Sequence, residues 1–516
     1  MKRLGGGWWL LFVGSLGAFA APGHDPRLAD AAQKGDRAAV RSLVEQKVDV
    51  NEPLPDGTTA LHWAVRVDDL ETADLLLHAG ANVKAADRYG LTPLSLACAN
   101  GSVPMIRKLL DAGANADSAD PSGNTALMKV IHTGNVEAAR LLIDHGASVN
   151  AKDQVAEETP LMFAVREYQP GLVRLLIERG ADLNVRTRVG KTPAWRPPNA
   201  GGGSHGAGII RGGWPERGAR EATPGGMTAL LYASRDGRMD IAQMLVAGKA
   251  DINQAEADGV TPLLIAVANE HLELAKFLVD HGADVNATDF WGRTPLWETV
   301  DIRNLEFTYG HSDEHNVDRE APLTFLKTLL DHGAKVNART KEVPPIRRWV
   351  MPISDLSWAD FTGQTPFLRA AQSGDITVMR LLLDHGADPN IPTYAGSTAL
   401  MAASGINWSV GQTYTESKES LMEAVKLCLQ KGADVNTANS MGLTAIFGAV
   451  NRGSNEIVEF LFQHGARLDL KDKEGRPLMS WAEGQFLATV PPERKPSTIA
   501  LLEKLMGQKT VAENAR

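Results

Sequence analysis

"GLTPLSLACANGSVPMIRKLLDAGANADSAD", residues 90–120, contains the grammar of a complete structural unit. Thr92 suits a helix N-cap, and Pro93 the first helical position, where a missing N–H costs nothing. Leu94, Ala97 and Cys98 follow at helical spacing and predict a short helix with a small-residue face. After an Asn100-Gly101 turn, Ile106, Leu109 and Leu110 form the apolar stripe of a longer second helix. Gly113 stands where a helix ends in the left-handed conformation, and Asp117 to Gly123 read as a polar hairpin. One such unit cannot bury both faces, so neighbours must stack to complete a core.

The unit recurs. Gly57, Gly90 and Gly123 are 33 residues apart, and the same interval separates Gly226, Gly259 and Gly292, Gly363 and Gly396, and Gly442 and Gly475. "GVTPLLIAVANEHLELAKFLVDHGADVNATD" (259–289) and "GQTPFLRAAQSGDITVMRLLLDHGADPNIPT" (363–393) align on these glycines. A period of this length marks a repeat array. From about residue 25 to about 485 the chain resembles the ankyrin repeat. The resemblance implies an α-solenoid of helix–turn–helix units with β-hairpin fingers, about eleven here, interrupted by four insertions. It also implies that a histidine in the Thr-Pro-Leu-His tetrapeptide ties neighbouring units. Only His62 fills that place, whereas Met128, Met162, Leu231, Leu264 and Met401 stand elsewhere, so cohesion is expected to shift onto apolar packing. Lys249 occupies a position that calls for a left-handed glycine, so that helix end is expected to be strained or rebuilt.

The organisation read from the chain is a signal peptide at 1–20, repeats at 21–190, a Gly/Pro-rich insertion at 191–225, repeats at 226–485, and a cap helix and frayed tail at 486–516. Residues 191–225 are read as replacing most of a unit, and 341–362 as lengthening one finger. Residues 301–321 and 404–418 are read as separating the first helix of a unit from its second. Lys2 and Arg3, a short apolar run and Ala18-Phe19-Ala20 make the leader a secretory signal cleaved near Ala20. No later stretch is apolar enough to span a membrane. The short leader and two cysteines among 516 residues point to a bacterial periplasmic or secreted protein. A formal charge of −9 argues against a nucleic-acid partner.

Three motifs advertise chemistry. His311, Glu314 and His315 spell the His-x-x-Glu-His order of inverted zinc peptidases, but their flanks are polar and lack the periodicity of a ligand-bearing helix. Gly202 to Gly206 fits Gly-x-Ser-x-Gly, and Gly201, Gly203 and Gly206 fit Gly-x-Gly-x-x-Gly, yet "TPAWRPPNA" upstream cannot be the strand either motif needs. His145, His281, His332 and His385 recur once per unit near helix ends and read as helix-end cations or hydrogen-bond donors to terminal carbonyls. No catalytic residue, metal ligand or cofactor is assigned.

Aromatic residues carry the binding expectation. Tyr89, Phe290, Trp291 and Tyr394 fall beside finger-turn glycines, and Arg347, Arg348, Trp349 and Trp358 lie on the long finger. Trp195, Trp214 and Trp408 lie in other insertions, and for all the insertion tryptophans, Trp349 and Trp358 included, packing of the insertion on itself is the competing reading. The resulting expectation is a monomeric, non-catalytic scaffold that recognises a protein along the concave side of fingers and inner helices. The alternatives are a secreted effector that binds a host protein, and a hydrolase whose site lies in the insertions.

Overall fold

The computed structural model describes residues 25–190, 225–304, 319–341, 362–406, 417–484 and 494–514. They divide into two compact units, one running to Val155 and including Glu178–Gly180, the other comprising Ala156–Ile177 and the chain from Ala181 onward. In the first unit the helices are α1 (Arg27–Gln33), α2 (Arg37–Glu45), α3 (Ala60–Arg66), α4 (Leu70–His78), α5 (Pro93–Asn100), α6 (Val103–Asp111), α7 (Ala126–Thr133) and α8 (Val136–Asp144). Then come α9 (Pro160–Arg166), α10 (Pro170–Glu178), α11 (Ala229–Arg235), α12 (Met239–Ala247), α13 (Pro262–Ala268), α14 (Leu272–Asp280), α15 (Pro295–Arg303) and α16 (Glu320–Asp331). The series closes with α17 (Pro366–Ser373), α18 (Ile376–Asp384), α19 (Ala399–Ser404), α20 (Lys418–Gln430), α21 (Ala445–Arg452), α22 (Asn455–Gln463), α23 (Leu478–Ala482) and α24 (Pro496–Asn514).

Among the described residues helices pack in successive pairs, α1 with α2 through α7 with α8 in the first unit and α11 with α12 through α23 with α24 in the second. Helix α24 also continues through residues read as a frayed tail. Within the first unit α1, α3, α5 and α7 stack side by side; within the second, α11, α13, α15, α17, α19, α21 and α23 do. Threonine starts most first helices: Thr92, Thr125, Thr159, Thr228, Thr261, Thr294, Thr365 and Thr398 each accept the N3 backbone N–H. Among the described residues the fingers contain isolated antiparallel bridges at Ala119–Thr125 and Lys471–Pro477, not strands.

Residues 191–224, read as replacing most of a unit, lie outside the described residues. Thr187 N–H donates to Met227 carbonyl (3.0 Å), and Gly226 N–H to Thr187 carbonyl (3.2 Å), so the chain leaves and re-enters through one closed finger. Helix α11 then packs on α9 as the next first helix. The Gly/Pro composition signals a break in periodicity, and the backbone on either side of that break is paired.

Polar ties between repeats do exist, on a residue the sequence reading passed over. In several fingers the asparagine after the first apolar residue reaches the following repeat. Its Oδ1 accepts a backbone N–H in Asn184←Asp251 (2.8 Å), Asn253←Asp284 (2.8 Å), Asn286←Lys335 (2.7 Å), Asn337←Asp388 (2.9 Å) and Asn436←Arg467 (2.9 Å). In the first unit Asn51 does the same for Asn82 (2.6 Å). Several of these amides also donate to the carbonyl ending the next second helix, as Asn286 does to Gly333 (3.1 Å). Histidine ties are made by His62, accepting from Thr59 N–H (3.1 Å) and donating to Leu91 carbonyl of the next repeat (3.1 Å), and by His271, whose Nε2 lies 3.1 Å from Arg235 carbonyl of the preceding repeat.

Lys249 adopts φ +70°, and its N–H and that of Ala250 bond Val246 and Leu245 carbonyls, the same closure Gly113 makes. The helix end is therefore kept, with a lysine in a backbone region that disfavours side chains. Lys47 does likewise at φ 58°.

Candidate partner-binding site

An ordinary finger is built by an acidic or amide side chain that holds its own turn. Asp87 Oδ1 accepts from Tyr89 N–H and Leu91 N–H (2.8 Å each), and Gly90 completes the turn at φ +75°. Arg88 N–H then bonds Asp56 carbonyl of the preceding finger (2.9 Å). With both neighbours committed to backbone bonds, the Tyr89 side chain is left outside, 58% exposed, with Arg88 stacked 4.9 Å over its ring. Tyr89 belongs to the first unit.

The other described candidates, Phe290, Trp291 and Tyr394, belong to fingers of the second unit. Phe290 and Trp291 pack edge to face at 5.6 Å and are half-buried. Trp291 carbonyl accepts Lys341 N–H (2.7 Å), and Tyr394 N–H donates to Thr362 carbonyl (3.0 Å). The finger that carries residues 342–361 is thus bonded on one side to the Phe290-Trp291 finger and on the other to the Tyr394 finger. Arg347, Arg348, Trp349 and Trp358 lie on that segment, outside the described residues. Tyr394 is 54% exposed, and the Arg339 guanidinium lies 4.3 Å from its ring centroid. Arg293 reaches 5.5 Å from the Trp291 ring while bonding Asp289 (2.7 Å) and Glu298 (3.2 Å). Burial raises the Asp289 carboxyl above its ordinary pKa, and Arg293 offsets part of that cost.

The concave side differs from the expectation. At one register of the first helices, Phe163 and Ile265 are half-exposed, but the equivalent Glu298 is 0% exposed, Arg369 2% and Ala402 0%. Every residue of α17 and α19 is buried. Charged groups there bond one another: Arg369 Nε to Asp301 (2.6 Å) and its Nη2 to Asn304 carbonyl (2.9 Å). Arg303 and Arg319, which flank residues 305–318 at the junction of α15 and α16, converge on Asp375 Oδ2 of the next repeat at 2.8 and 3.0 Å. The inner-helix portion of the expected binding surface is closed to solvent at α15, α17 and α19. Among the described candidates Tyr89 and Tyr394, both beside finger turns, are the exposed ones.

The helix-end histidines act as donors. Nδ1 of His145, His281, His332 and His385 lies 2.8 Å from the carbonyl four residues earlier in each case. His311, Glu314, His315 and the 201–206 glycine motifs lie outside the described residues, as do Trp195, Trp214, Trp408 and the leader. Among the described residues no group of three or more His, Cys, Asp or Glu side chains is placed to hold a metal ion, and no helix is long and apolar enough to cross a membrane.

Two arginines escaped the sequence reading: Arg186 and Arg339, which fasten the necks of the two interrupted fingers. Their visible signal was the dipeptide Arg-Thr ahead of both finger insertions, Arg186-Thr187 and Arg339-Thr340.

Paired helices stacked in register, with a finger turned outward from each pair, define an α-solenoid repeat protein. The chain belongs to the ankyrin-repeat family. It matches the description "Ankyrin repeats (3 copies)" over residues 28–120, 105–187, 214–289 and 415–489, and "Ankyrin repeat" over 362–394. It is similar to the mouse RelA-associated inhibitor, at 39% identity over 72 residues, covering 14% of this chain and 9% of that protein. The mouse protein phosphatase 1 regulatory subunit 27 is 37% identical over 79 residues, covering 15% of this chain and 51% of that one. The Caenorhabditis elegans ankyrin repeat and LEM domain-containing protein 1 homolog is 49% identical over 62 residues, covering 12% and 9%. The chain spans about half the length of these relatives, or far less.

Proposed function

We propose that the chain is a non-catalytic scaffold that binds a protein partner through the finger row of its second unit. The observation that carries this is the bonding of three consecutive fingers, so that Phe290, Trp291 and Tyr394 flank the finger bearing Arg347, Arg348, Trp349 and Trp358. Aromatic and arginine side chains on a rigid frame are the usual anchors of protein interfaces. Relatives named as an inhibitor and as a regulatory subunit support a binding role. Export is part of the proposal and rests on the leader pattern and cysteine count alone; the relatives cited are animal proteins and lend no support to a bacterial source.

The test is affinity capture from the native host with the mature chain, beside versions carrying Trp291→Ala with Tyr394→Ala, or lacking residues 342–361. A partner retained by the intact chain and lost in both altered chains supports the finger row. Equal recovery in all three would move the site elsewhere.

A further inference from the structure

Both interrupted fingers close through the same device. In the first, Arg186 Nε donates to Gly226 carbonyl (3.3 Å) and its Nη2 to Ala255 carbonyl (2.7 Å) in the following finger. In the second, Arg339 Nε donates to Gly363 carbonyl (3.1 Å) and its Nη2 to Pro392 carbonyl (2.6 Å), again in the following finger. The next residue, Thr187 or Thr340, accepts through its hydroxyl the N–H of Met227 or Gln364, at 2.9 Å in both. The returning glycines have φ of +75° at Gly226 and +76° at Gly363. A Cβ at either glycine would sit 2.9 Å from the guanidinium Nη2, so each arginine lies flat across a face that only glycine leaves open. Thr393 makes the same hydroxyl closure in a short finger, accepting Ser397 N–H at 2.9 Å, but Pro392 precedes it. The threonine is thus a general turn device. The arginine fork accompanies the two interrupted fingers.

The register explains why those fingers need it. In a short finger the turn itself fixes the distance between the outgoing and returning chain. An insertion at the turn removes that constraint, and the entropy of the added chain favours opening of the neck. A guanidinium presents several N–H groups in a fixed plane, so one side chain can hold the returning chain and the next finger together. At the second neck the same guanidinium also stacks on Tyr394, where the first neck has Ala257 in the matching position.

We propose that Arg186 and Arg339 are positioning residues that clamp the necks of the interrupted fingers to the finger that follows, and that Arg339 in addition fixes the orientation of Tyr394 at the candidate partner surface. The clamp stands on geometry alone. Only its use in recognition rests on the function proposed above, and the test needs no partner.

The experiment is hydrogen exchange on the full chain, read by mass spectrometry over peptides covering 337–341, 362–366 and 391–396, and over 184–190, 225–229 and 253–258. Arg339→Met raises exchange at the first group by about tenfold, with the second group and helices α15 and α17 unchanged. Arg186→Met gives the mirror result. Arg339→Lys behaves like Arg339→Met, because one ammonium cannot reproduce the planar fork. Unchanged neck exchange in Arg339→Met, wild-type exchange in Arg339→Lys, or a rise shared equally by α15 and α17 would each overturn the clamp.

Discussion

Replacing Asp375 by asparagine removes one charge and almost no volume, yet it should be among the most damaging substitutions in the second unit. The Asp375 side chain is 0% exposed. Its Oδ1 accepts Val378 N–H (3.2 Å) and caps α18. Its Oδ2 accepts from Arg303 (2.8 Å), Arg319 (3.0 Å) and Asn304 (3.3 Å). Asparagine is as good an N-cap as aspartate, so the capping contribution changes little. What is lost is the counter-charge of two guanidiniums that are themselves mostly out of water. Removing one partner of a buried ion cluster costs about 3–5 kcal/mol, because the remaining charge stays desolvated. Asp375→Ala should add about 1 kcal/mol for the lost cap. The assay is urea unfolding with hydrogen exchange over α15 to α18, since a repeat array can lose these pairs before the rest and a single midpoint would hide it. Asp36→Asn, at the exposed cap of α2, is the control and should cost about 0.5 kcal/mol or less. In a double-mutant cycle, Arg303→Met should recover part of the loss, because the two residues share one interaction. A cost for Asp375→Asn below about 1 kcal/mol, or full additivity with Arg303→Met, would refute the reasoning.

Three further outcomes are expected. Burial lowers the pKa of His62 below its ordinary 6.5, so the neutral ring is the folded form; its contribution is present above pH 6.5 and is lost as pH falls below it. Wild-type chain should therefore lose first-unit stability on acidification through that range more steeply than His62→Gln, and identical pH profiles would remove His62 from the account. Cys98 and Cys428 are free and buried, and burial pushes both thiols up to about 12, so a thiol reagent at neutral pH should label them only as denaturant opens the repeats; fast labelling of the native chain would contradict the packing. Lys249→Gly should stabilise the chain by about 0.5–1 kcal/mol by relieving the left-handed lysine, measured as a shift in the urea midpoint; a loss would show that the lysine side chain contributes more than its backbone strain costs.

Much of the fold is legible along the chain because its signals are local. Thr92 with Pro93, the stripe of Ile106, Leu109 and Leu110, and the left-handed Gly113 each act within one or two turns of backbone, and the spacing of 33 repeats them. The helix-end role of the recurring histidines is local too, since each donor and its carbonyl are four residues apart. What could not be read was whatever depends on a neighbouring repeat. Asn337 meets Asp388, and Arg303 meets Asp375, only after stacking brings distant segments together. Exposure is of the same kind. Arg369 has the composition of a surface residue and the burial of a core one, because its partners Asp301 and Asn304 arrive from the preceding first helix and its end. The sequence by itself therefore determined the repeat, its helices and its turns, whose bonds lie within single units. Which asparagines tie the units, which charges are buried, and that Tyr89 and Tyr394 rather than α15, α17 and α19 remain open were decided by tertiary structure, where side-chain environment is set by packing against residues tens of positions away.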